Sequence, residues 1–287
     1  MVTANFGGDQ AYHSTVGYGQ AQTWTQAAAV SAVPPGSGWS TPVALVVNGT
    51  TITTAHAPAV TSDGGIPVIA WTSANGDIEY SGFALFGWSG PTTVSGSWGT
   101  ANTSHGPSFA AMGDHGFIAA WTGAKSKHVY YAEYSDEAWQ PQHYLSATTT
   151  DYAPAVMAAT GDISLAYLAW TNGNGSIGME RLQGSARTLL ADVPDAKTHN
   201  GPALAATPGA DAFCVAWDGA SSEHVYYRER IDGTWLEQRD EPQALTTQAP
   251  AVAFDVPTMQ MLWTAPSTKI VEGAQTSNGT AVSARKP

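Results

Sequence analysis

The chain has 287 residues, 43% apolar and only 12% charged, enough apolar side chain for a large core and too little charge for a disordered polymer. With 30 Gly and 17 Pro, long helices are disfavoured, and 11 basic against 23 acidic side chains give a formal net charge of -12 that disfavours nucleic acid and anionic membranes as partners. Cys214 is the single cysteine, which excludes an intrachain disulfide and any Cys-based zinc or redox motif.

Residues 1–8 have neither a basic start nor an apolar run, and no later stretch is long enough to span a bilayer. The expectation is a protein without signal peptide or membrane insertion, either cytoplasmic, non-classically secreted or a mature form. A first, degenerate repeat ends in Gln22-Thr23-Trp24-Thr25. From there a unit of small residue, Pro and apolar residue, followed by a turn and an apolar run ending in Trp, recurs. Ala57-Pro58-Ala59-Val60 leads to Ile69-Ala70-Trp71-Thr72, and Gly106-Pro107-Ser108-Phe109 to Ala119-Ala120-Trp121-Thr122. Ala153-Pro154 then leads to Trp170-Thr171, Gly201-Pro202 to Trp217-Asp218, and Ala249-Pro250 to Trp263-Thr264.

Those tryptophans, at 24, 71, 121, 170, 217 and 263, are separated by 47, 50, 49, 47 and 46 residues, the length of one propeller blade. The second half of the unit also recurs, as His128-Val129-Tyr130-Tyr131 with Trp139 and as His224-Val225-Tyr226-Tyr227 with Trp235, which makes four short strands per copy. Runs such as 66–71 are apolar at nearly every position, the mark of a strand buried on both faces. The prediction is an all-β, six-bladed β-propeller of four-stranded antiparallel blades. It forms a single domain over 1–287, with repeats at approximately 1–50, 51–100, 101–146, 147–195, 196–240 and 241–287.

In a propeller the linker before each first strand opens on one face of the axial channel, so the residue preceding each small-Pro pair belongs to the channel mouth. These residues are His56, His105, Tyr152, Asn200 and Gln248, with Gln10 from the first copy. All are polar, and after the His56 and His105 pair no two adjacent copies agree, as expected of a ligand site on a repeated scaffold. Their neighbours add Asp9, Ser104, Asp151, His199 and Thr247. The site predicted from them is a pocket for a polar small molecule. No cofactor is called for, although His56, His105 and His199 are the three imidazoles to consider for a divalent metal, with Asp151 as a carboxylate. The repeated tryptophans read as core, whereas Trp39, Trp88, Trp139 and Trp235 open the outermost strands, where one side meets solvent. Among the turns from second to third strand, Lys125 and Lys127 stand out from ordinary turn chemistry.

Ile231-Asp232-Gly233-Thr234-Trp235 and Ser135-Asp136-Glu137-Ala138-Trp139, together with the Gly-Pro-Ala, Ala-Trp and Tyr-Tyr elements, resemble the sialidase-like repeat propellers of the Asp-box type, of which this chain looks like a lectin-like member. That resemblance implies a glycan-related role. Sialidase activity in that family uses three arginines, the first near the N-terminus, and here no Arg precedes Arg181. The expected function is therefore a lectin that binds neutral glycans at the channel mouth or between blades. The alternative is an enzyme, of hydrolase or lyase type and with or without a metal, whose active site uses His56, His105 and His199 assisted by Asp151 and Tyr152. Sequons at Asn48, Asn102, Asn174 and Asn278 matter only in a secreted protein.

Overall fold

Each apolar run that ends in Trp forms the second strand of a sheet, because strand side chains point alternately to two faces and here both faces meet a neighbouring sheet. These strands are Ile66–Thr72, Phe117–Thr122, Leu165–Thr171, Ala212–Asp218 and Thr258–Thr264. The computed structural model describes strands Thr3–Asn5 and Thr23–Thr25 and residues 44–285, apart from 64–65, 85–86, 114–115, 160–163, 208–210, 256–257, 268–270 and 278–279. Asp9, Gln10, Trp39 and Asn278 lie outside the described residues. Among those described, no helix is long and apolar enough to cross a membrane.

Five antiparallel β-meanders follow one another and are called blades two to six after the repeat that encodes each. Their first strands are Ala59–Asp63, Ser108–Ala111, Ala155–Ala158, Ala203–Ala206 and Ala251–Asp255. First strands of consecutive blades adjoin one another, the arrangement that surrounds a propeller axis. Third strands run Ile78–Ala84, His128–Ser135, Ile177–Gln183, His224–Ile231 and Val271–Ser277. The outermost strand is split in blades two, three and five, as in Ala138–Trp139 and His143–Thr149, both of which pair with the third strand of blade three. Pro141 lies in that split, and proline at a blade edge blocks further pairing. Blade four closes with one uninterrupted strand, Ala186–Leu190.

The core lies between blades. Phe117, Ala119 and Trp121 pack against blade two, while the intervening Ile118 and Ala120 pack against blade four. The same alternation separates the tyrosine pairs: Tyr130 faces blade two and Tyr131 faces blade four, as Tyr226 faces blade four and Tyr227 faces blade six. Trp71, Trp121, Trp170, Trp217 and Trp263 are each at most 2% exposed, core residues as the repeat predicts. Trp139 departs from the sequence reading. It is buried, enclosed edge-on by Tyr80, Phe109 and Phe117 rather than open to solvent. Asp136-Glu137 and Asp232-Gly233 both have positive φ, so the Asp-box-like segments form the two-residue hairpin turns that suit twisted strands.

Candidate functional site

The channel-mouth positions share one backbone frame. The N–H of each mouth residue donates to a Thr hydroxyl two residues earlier: His56 to Thr54 (3.2 Å), His105 to Thr103 (3.1 Å), Tyr152 to Thr150 (3.2 Å), Asn200 to Thr198 (3.0 Å) and Gln248 to Thr246 (3.1 Å). A second bond explains why Thr follows the repeated Trp. Its hydroxyl donates to the mouth residue's carbonyl on the next linker, Thr72 to His105 at 2.6 Å, Thr122 to Tyr152 at 2.5 Å and Thr171 to Asn200 at 2.5 Å. Blade five carries Asp218 instead, which accepts from the Thr198 hydroxyl and from the Asn200 amide at 2.8 Å. The small residue before each Pro has a reason as well. A Cβ on Gly106 or Gly201 would come within 2.2 Å of the Ala57 carbonyl oxygen or 2.4 Å of that of Ala153, because successive linkers touch backbone to backbone.

On this constant frame the side chains diverge. His56 and His105 sit side by side with ring centroids 6.2 Å apart. Burial pushes the His105 imidazole below its ordinary pKa, opposed by its bond to the Asp151 backbone carbonyl. Its Nδ1 lies 3.2 Å from the Ser104 hydroxyl. The Asn200 amide is engaged by Asp218 and by the Thr247 carbonyl at 3.0 Å, and the Gln248 amide donates to that same carbonyl at 2.9 Å. These two amides serve the frame as well as the mouth.

A cavity of about 250 Å³ opens on this face between the linkers into blades four and five. Lys127, Asp151, Tyr152, Asn172, Asn174 and His199 supply most of its functional groups, joined by Thr150, Thr171 and Thr198. The frame already uses the threonine hydroxyls, and Asn172 accepts the Trp170 indole N–H at 2.8 Å while donating to Ser176 at 2.9 Å. Asp151, Tyr152 and His199 use no side-chain atom in that frame. Lys127 forms an ion pair with Asp151 across the cavity rim.

The three histidines considered for a metal are not gathered into one group of ligands among the described residues. His56 and His105 pair at one part of the mouth, whereas His199 stands one residue before its linker's mouth position and lines the cavity beside Asp151 and Tyr152. Among the described residues no three His, Cys, Asp or Glu side chains converge as a metal ion requires.

Sequence reasoning missed two groups. The framing threonines 54, 103, 150, 198 and 246 recur two residues before every described mouth position, a signal visible once the copies are aligned on their prolines. The other group lies where blades three and four meet and has no repeat signature. There Glu180 is 8% exposed, its carboxyl raised by burial and opposed by Arg187, which also hydrogen-bonds Tyr131. His143 stacks on Tyr131 with centroids 5.2 Å apart and offsets the burial that raises Glu133.

No protein-family profile and no curated sequence matches the chain. Its fold, however, is that of several solved lectins. It is similar to the SapL1 lectin in complex with α-methyl fucoside, with a TM-score of 0.64 and 12% identity over 83% of this chain and 82% of that one. An Aleuria aurantia lectin in complex with a fucosyl-GlcNAc disaccharide matches with a TM-score of 0.59 and 14% identity, over 80% and 77% of the two chains. A Burkholderia pseudomallei lectin matches at 0.61 and 14%, over 84% and 73%. The fold is a β-propeller, and a further crystal structure of the Aleuria aurantia lectin is described as six-bladed.

Proposed function

We propose that the chain is a lectin that binds neutral glycans, without metal or other cofactor, in the cavity at the channel mouth. The observation that carries this reading is a constant hydrogen-bonded frame beside a cavity of about 250 Å³ whose lining brings together Lys127, Asp151, Tyr152, Asn174 and His199. That volume is slightly below the roughly 300 Å³ at which pockets for drug-sized ligands begin, and it suits one sugar residue. Tyr152 offers an aromatic face, while Asp151, Asn174 and His199 offer donors and acceptors to hydroxyls. Asp151 and the net charge of -12 oppose sialylated or sulfated glycans. The lectins of similar fold held fucosides, which are neutral sugars, so fucosylated glycans head the list of ligands to test. Likeness to sialidase-like repeats is read as likeness of scaffold, since the Asp-box-like segments form turns.

A glycan array probed with folded protein is expected to show neutral glycans bound and anionic ones ignored. Replacement of the acceptor, Asp151→Asn, should weaken binding by about tenfold, the loss of roughly 1.4 kcal/mol. An array without signal above background would refute the lectin reading.

A further inference from the structure

Four described blades pass from second to third strand through a residue in the left-handed region: Gly76 (φ 85°), Lys127 (φ 59°), Gly175 (φ 82°) and Glu223 (φ 58°). In each case that residue's carbonyl accepts the N–H of the Thr that frames the next mouth position, from Thr103 at 2.8 Å, Thr150 at 2.9 Å, Thr198 at 2.9 Å and Thr246 at 2.7 Å. The frame therefore requires a backbone conformation and a carbonyl, and nothing beyond Cα. Glycine supplies both without a Cβ penalty in blades two and four. The turns of blades three and five are one residue longer, closed by Lys127 N–H on the Gly123 carbonyl and Glu223 N–H on the Gly219 carbonyl, and both end in a charged residue. A long side chain kept in this strained region is a pointer to use of that side chain. For Lys127 the use is in view, because it lines the cavity and its ammonium meets Asp151, with the two side chains 58% and 66% exposed. Glu223 is not among the cavity's lining residues.

We infer that Lys127 contacts the ligand and sets the specificity of the mouth cavity, selecting with Asp151 a sugar that presents two adjacent hydroxyls. This rests on the lectin reading. An ammonium has three donors, of which the ion pair uses one, and the Asp151 carboxylate has acceptor sites on both oxygens. Adjacent hydroxyls answer both groups together: their O–H groups donate to the Asp151 carboxylate, and one of their oxygens accepts from Lys127. Charge-assisted bonds of this kind are stronger than neutral ones, whereas an ion pair at an exposed rim is itself weak, so both side chains turn to the sugar at small loss. A sugar lacking one hydroxyl leaves a charged group without its new partner.

The test compares wild type, Lys127→Gly and Glu223→Gly by thermal midpoint and by titration with methyl glycosides of fucose, galactose, mannose and glucose and their monodeoxy counterparts. Both glycine variants are expected to melt at or above the wild-type midpoint, by up to about 4 °C if relief of strain dominates. Lys127→Gly should bind the sugars about tenfold more weakly, and wild type should reject the relevant deoxy sugar by a similar factor. Glu223→Gly should bind as wild type does. Wild-type affinity in Lys127→Gly, or a clear fall in its midpoint, would overturn the inference and leave the lectin reading standing. Failure of wild type to bind any sugar in the panel, or any glycan on the array, would remove both.

Discussion

Glu180 shows how much a single buried group can shift the balance of this fold. Burial raises its carboxyl pKa above the ordinary 4.5, and nearby Arg187 only partly opposes the rise. A carboxyl raised on folding contributes stability that is fully present below its unfolded pKa and is lost as pH rises through the folded value. At neutral pH the charged form therefore weakens the cohesion of blades three and four. Glu180→Gln is expected to raise the melting midpoint at pH 7 by a few degrees, the scale of about 1 kcal/mol in a chain of this size. That advantage should shrink as the pH is lowered toward 4.5. A pH-independent difference between the two melting curves would show that the carboxyl is not raised.

At the scale of elements, the linker is the unit that joins the packing of the blades to the proposed binding cavity. Thr150 and Thr246 are both buried and do the same work, accepting the N–H of Tyr152 and of Gln248. Replacing either by Val leaves a backbone N–H unpaired, which costs about 1 to 3 kcal/mol. Thermal melts of Thr150→Val and Thr246→Val should fall alike. Only Thr150→Val should also weaken glycan binding in titration, because only Thr150 and Tyr152 line the cavity. Equal losses of affinity in the two variants would place the site elsewhere. The strands flanking these linkers were legible in the sequence, since apolar runs ending in Trp and spaced by about 46 to 50 residues specify a blade. The equivalence of the linker positions 56, 105, 152, 200 and 248 was legible through their place before each Pro. The threonine frame recurs just as regularly but appears as ordinary linker polarity until its bonds are seen. Lys127 was conspicuous by charge, yet its left-handed backbone and its pairing with Asp151 are three-dimensional facts. The contacts of Glu180 were illegible because their groups come from different strands of two blades.

At the scale of the molecule, five described blades repeat one solution to packing and vary the chemistry at one end. Each repeated Trp fills the space toward the preceding blade, so cohesion comes from apolar burial between sheets with no disulfide available. That separation lets the mouth change without cost to the core: Tyr152, Asn200 and Gln248 occupy equivalent places with unlike side chains. It also makes the location of ligand the decisive question. The most direct measurement is a crystal structure of the protein with α-methyl fucoside or the neutral glycan that binds best on the array. The account predicts a sugar ring in the mouth cavity, in contact with Asp151, Tyr152 and Lys127. Sugar bound only in an inter-blade cleft, with the mouth cavity holding solvent at saturating ligand, would contradict it.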